Sequence, residues 1–120
     1  MGVSIAAHFE KKFRGSDADF PEGKCLVYCL DRLDDICGQH GLATLSSFAP
    51  DDGEESWFDS ADGLKTVSEL LKILRLDKAW FKGLVATKKD AKIAVECLEV
   101  LERSLRSAAK KKIRFYLFYF

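Results

Sequence analysis

At 120 residues the chain suits a single domain, and a fold of that size buries roughly two-thirds of the surface its unfolded form exposes. Hydrophobic residues make up 48% and charged residues 32% of it, which excludes the disordered, collagen-like and membrane-embedded classes. Nineteen Lys and Arg balance nineteen Asp and Glu, so no net field draws the protein to nucleic acid or to an anionic membrane.

The first residues, MGVSIAAHFEKKF, lack the basic-then-apolar order of a signal peptide, and Ala6 stands where a myristoylation pattern wants Ser or Thr. The longest uncharged apolar run, Phe115 to Phe120, is far below the roughly 20 residues that a spanning helix needs. A cytoplasmic protein is expected.

Val3, Ile5, Ala7 and Phe9 alternate with Ser4, Ala6, His8 and Glu10, the period-two pattern of a strand with one face toward a core. After a charged, turn-forming stretch, Pro21 is placed for the first turn of a helix. That helix is predicted over residues 22–39. Cys25, Leu26, Cys29, Leu30, Leu33, Ile36, Cys37 and His40 fall within an arc of about 140° on its wheel, and Gly38 or Gly41 ends it. Residues 42–49 read as a second strand. The acidic segment PDDGEES that follows reads as a surface loop.

Asp59 and Asp62 place negative charge at the start of the next helix, which runs to Leu76 on a stripe of Leu64, Val67, Leu70, Leu71 and Leu74. A short helix is expected over 77–86, ended by Gly83. Thr87 with Asp90 caps the longest helix, residues 88–110. Its apolar arc, about 220° wide, calls for two packing neighbours. Glu99 with Arg103 and Glu102 with Arg106 are spaced as i,i+4 pairs along it. Lys110, Lys111 and Lys112 meet the negative end of its dipole as a solvated helix end.

The final run, IRFYLFYF, is apolar on both alternating faces except at Arg114, which suits a central strand or one whose second face meets another chain. The expected fold is α+β. About three strands in a mixed or antiparallel sheet pack against three main helices, in the order β-α-β-α-(α)-α-β, as one domain over residues 1–120.

No catalytic motif is present, and no cofactor or metal is expected. Cys25, Cys29, Cys37 and His40 share a helix but sit in its apolar stripe rather than at tight-turn ligand spacing, so packing is the better reading of the thiols. His40 reads as a helix-end residue, with a thiol–histidine pair as the alternative. His8 and Glu10 lie on one strand face, as a surface pair or an acid–base pair. Asp51, Asp52, Glu54 and Glu55 offer oxygen ligands without the order of a calcium loop.

The feature above background is aromatic. Trp57, Phe58, Trp80, Phe81, Tyr116, Phe118 and Phe120 are candidates for an interaction surface as well as for the core.

The stretch WFDSADGLKTVSELLKIL, with the preceding GLATLSSF and the closing RFYLFYF, resembles a small uncharacterised bacterial α+β family. The resemblance implies a compact bacterial domain and carries no activity. Three functions follow as expectations. The first is a non-enzymatic interaction or regulatory protein acting as a homodimer or on another protein. The others are an immunity- or antitoxin-like inhibitor using the acidic loop, and a small ligand binder or enzyme using His8 or His40.

Overall fold

The apolar stripes and caps read from the sequence produce three helices and a two-stranded antiparallel sheet. The computed structural model describes residues 4–14, 16, 23–50, 56–84 and 87–120. Strand β1 is Ile5–Phe9 and helix α1 is Gly23–Gln39, with a four-residue 3-10 turn, Leu45–Phe48, beyond it. Helices α2, Ser60–Leu76, and α3, Lys88–Lys110, then lead to strand β2, Phe115–Tyr119. Val3, Pro21 and the acidic residues Asp51, Asp52, Glu54 and Glu55 lie outside the described residues.

Helix α3 is the central element and packs along both α1 and α2, as its wide apolar arc requires. Its capping box is complete. The Asp90 amide donates to Thr87 Oγ1 at 3.1 Å, and the Thr87 amide donates to an Asp90 carboxylate oxygen at 3.0 Å. Asp59 caps α2, accepting from the Ala61 amide at 2.9 Å. Leu26, Leu33, Leu70, Leu71, Leu98, Leu101 and Leu105 meet in one core.

Helices α1 and α3 end in the same way. The amide two residues past the cap reaches back to a carbonyl of the last turn, Leu42 to Cys37 at 2.8 Å and Ile113 to Ala108 at 2.9 Å. This geometry puts the residue after the cap in the left-handed region, which favours glycine. In α1 that residue is Gly41, with φ of 69°; in α3 it is Lys112, with φ of 56°.

Strand β2 pairs with β1 in the register Ile5 to Tyr119, Ala7 to Leu117 and Phe9 to Phe115. Phe115 also forms a single bridge to Phe58. Ile5, Phe115 and Leu117 are buried against the helices. Gly63 of α2 makes room for Phe115, since a Cβ at that position would come within 2.5 Å of the ring.

Three expectations are corrected. Residues 42–49 do not form a strand but enter the 3-10 turn: Thr44 caps it, and the Asp34 carboxylate accepts the Leu45 amide at 2.9 Å. That carboxylate also accepts the Ser46 hydroxyl, so local polar groups satisfy the backbone that a strand would have paired. The sheet accordingly has two strands among the described residues rather than about three.

Residues 78–84 form successive tight turns instead of a helix. Arg32 on α1 donates to the Trp80 carbonyl at 2.7 Å and to that of Lys82 at 3.0 Å, holding those carbonyls away from helical partners. Glu99, finally, pairs with Arg75 of α2 at 3.2 Å rather than with Arg103; Glu102 keeps Arg106, at 3.9 Å. Packing brings Arg75 closer to Glu99 than its own helix brings Arg103.

Candidate interaction surface

Alternation along β1 and β2 gives their small sheet two chemically different faces. The inner face carries Ile5, Phe115 and Leu117 into the core. On the outer face the register sets His8 opposite Tyr116 and Ala6 opposite Phe118, and the paired backbones of Ser4 and Phe120 extend the row. The chain at Phe58, held to β2 by its bridge, brings Trp57 to the same side.

The outer rings touch one another. His8 stacks on Trp57 with centroids 5.8 Å apart and lies 5.2 Å from Tyr116. Trp57 and Tyr116 are 5.1 Å apart, and Phe118 and Phe120 are 5.6 Å apart. Tyr116, Phe118 and Trp57 are half-buried, while Phe120 keeps 68% of its surface exposed. The row ends in an ion pair, in which the Arg114 guanidinium donates to both Glu10 oxygens at 3.0 and 2.9 Å. That pair holds the Glu10 carboxyl below its ordinary range, first through the hydrogen bonds and then through the charge of Arg114. The surface is therefore an aromatic strip closed at one end by a bidentate salt bridge.

The structure sorts the residues singled out from the sequence. Trp57, Tyr116, Phe118 and Phe120 gather on the outer face of the sheet. Phe58 turns the other way, edge-on to Phe48 at 5.5 Å. Trp80 is buried, 6% exposed, and stands edge-on to half-buried Phe81, beside α3 rather than on the strip.

His8 and Glu10 share the outer face but not a bond, because Arg114 holds Glu10 and aromatic rings surround His8. His40 is exposed past the end of α1, whereas Cys29 and Cys37 are fully buried. Burial pushes both thiols up to about 11, helped by the nearby carboxylates of Asp90 and Asp34 respectively. These thiols pack in the core, where burial disfavours the thiolate. Among the described residues no three His, Cys, Asp or Glu side chains converge to hold a metal ion. Nor is any helix there long and apolar enough to cross a membrane.

One site escaped the sequence reading. A groove of about 820 Å³ runs between the end of α2, the turns at 78–84 and the first half of α3. Its trace in the sequence is the pair Lys88 and Lys89 in the first turn of α3, where the helix dipole disfavours positive charge. No family model matches the chain, and no curated protein or solved structure matches it significantly.

Proposed function

We propose that this chain is a non-enzymatic interaction domain that self-associates through the outer face of its two-stranded sheet. The observation that supports the reading is the aromatic strip itself. His8, Trp57, Tyr116, Phe118 and Phe120 form a continuous row on the outer face of the sheet, where His8 and Phe120 are exposed and the other three rings are half-buried. A second copy placed face to face by a two-fold axis would bury the same rings on both sides, since a two-fold interface joins one patch to itself.

The size of the patch places this contact among the smaller interfaces. Aromatic side chains bury about 150–250 Å² each when fully covered, and these rings are already partly covered, which leaves ~400 Å² per copy. A stable standard interface buries about 800 Å² per partner. A patch of half that size supports a weak, reversible dimer at most.

Sedimentation equilibrium across micromolar to submillimolar concentrations tests the proposal. A monomer–dimer equilibrium is expected, and Phe118→Ser with Phe120→Ser should move it to monomer while the circular dichroism spectrum stays unchanged. A concentration-independent monomer, or a dimer indifferent to the double substitution, would refute it.

A further inference from the structure

The groove between α2 and α3 departs from the overall charge balance of the chain. Its floor is apolar, made by Leu74, Trp80, Phe81, Ala91 and Val95. Five cations, Arg75, Lys78, Lys88, Lys89 and Lys92, stand around that floor with two anions, Glu96 and Glu99. One of the two is already paired, because Glu99 is bonded to Arg75.

The charge is also ordered along the groove. Lys88, Lys89 and Lys92 occupy the first turns of α3, and Glu96 and Glu99 follow one to two turns later. At 1.5 Å per residue the trough from Lys88 to Glu99 is about 16 Å long. It is basic at one end and apolar along its floor, and toward the other end it carries Glu96 and the Glu99–Arg75 pair.

Two further observations set this groove apart. Lys88 and Lys89 sit where the dipole of α3 opposes them, a conflict that the single carboxylate of Asp90 offsets only in part, and functional sites are among the places where such local conflicts are expected. The wall that carries Trp80 is tied to α1 by the two hydrogen bonds from Arg32.

We infer that the groove binds a single amphiphilic molecule with an anionic head, such as a long-chain carboxylate, the head at Lys88, Lys89 and Lys92 and the apolar body along Val95, Phe81 and Trp80. The volume lies in the range of pockets that enclose a drug-sized ligand. The lysine end attracts the head, while Glu96 at the far end repels a second anion and sets the direction of binding. An alcohol or ammonium head of the same chain length loses the first interaction, and the ammonium is repelled outright.

Isothermal titration of the whole protein with laurate and with dodecyltrimethylammonium, both below their micelle concentrations, tests the assignment. Laurate should bind one per chain, and the ammonium about tenfold more weakly, as attraction or repulsion by three clustered lysines implies. Lys88→Glu, Lys89→Glu and Lys92→Glu together should reverse that preference. These residues are exposed and the change suits the dipole, so the fold should hold.

Val95→Gln should weaken both probes alike. Equal binding of the two heads, absence of saturable laurate binding, or laurate affinity unchanged by the triple substitution would overturn the assignment. So would pelleting with phosphatidylglycerol vesicles in place of one-to-one laurate binding, which would give the lysines to a membrane surface instead.

Discussion

Replacing Asp34 tests the account of the segment that was expected to be a strand. Its carboxylate, on α1, accepts the Leu45 amide at 2.9 Å, the Ser46 amide at 3.4 Å and the Ser46 hydroxyl. The turn it anchors places Phe48 against Phe58 and Phe115, under the sheet, with centroids 5.5 and 5.4 Å away. Hydrogen bonds to a charged acceptor contribute about 1.5–3 kcal/mol each, but the long one adds little and freed groups near the surface regain water. Asp34→Ala should therefore cost about 2–3 kcal/mol. Asp34→Asn keeps an acceptor for the two amides and can donate to Ser46, and should cost about 1 kcal/mol.

Urea unfolding followed by fluorescence reads both values. With a slope near ~2 kcal/mol per molar, the Ala midpoint falls by roughly 1 M and the Asn midpoint by about half of that. If Asp34→Ala cost less than about 0.5 kcal/mol, as an ordinary surface change does, the claim that this carboxylate directs residues 42–49 away from a strand would fail.

Four other outcomes are expected. Lys112→Gly should stabilise the fold by about 0.5–1 kcal/mol in the same assay, since relief of a left-handed non-glycine residue exceeds the backbone entropy glycine gains when unfolded; a loss of stability would contradict the helix-end geometry. Glu10→Gln should lower stability by an amount that is constant above pH 4.5, the ordinary value for this carboxyl, and that vanishes as pH falls through the lower folded value; a difference that persists in acid would refute the ion pair. All four cysteines are buried and outside any disulfide, so a disulfide exchange reagent should titrate none of them rapidly in the native state and four after unfolding. Because Cys29 and Cys37 are pushed from 9.0 up to about 11, the stability their neutral forms contribute is complete below pH 9 and is lost as pH rises toward 11.

The helices were legible because their signals are local and repeated. Val67, Leu70, Leu71 and Leu74 recur at helical spacing, and Thr87 and Asp90 stand three residues apart before an amphipathic run. The terminal strands announced themselves by alternation and aromatic content.

Residues 42–49 misled because Thr44, Leu45 and Phe48 are compatible with a strand while Thr44, Ser46 and Ser47 also suit a Ser/Thr turn, and the deciding carboxylate lies eleven positions upstream. The turns at 78–84 depend on Arg32, nearly fifty residues away, and no local pattern reports that contact. Trp57, Tyr116, Phe118 and Phe120 assembled into one strip because strand pairing fixes which side chains share a face. The groove stayed hidden since it is made by three separate stretches of chain, and only the two lysines at the start of α3 hinted at it.

The pairing of Ser4 with Phe120 has a consequence for how the protein comes to exist. Helices α2 and α3 are neighbours along the chain and can meet early, whereas the sheet joins stretches more than a hundred residues apart and must await everything between them. During synthesis β1 leaves the ribosome well before β2 and, among the described residues, has no strand to pair with until β2 follows. Until then the edge of β1 is without its mate, and the aromatic strip does not exist. Any contact that the strip makes with another molecule thus reports on a finished fold, and no chain still lacking β2 can offer it.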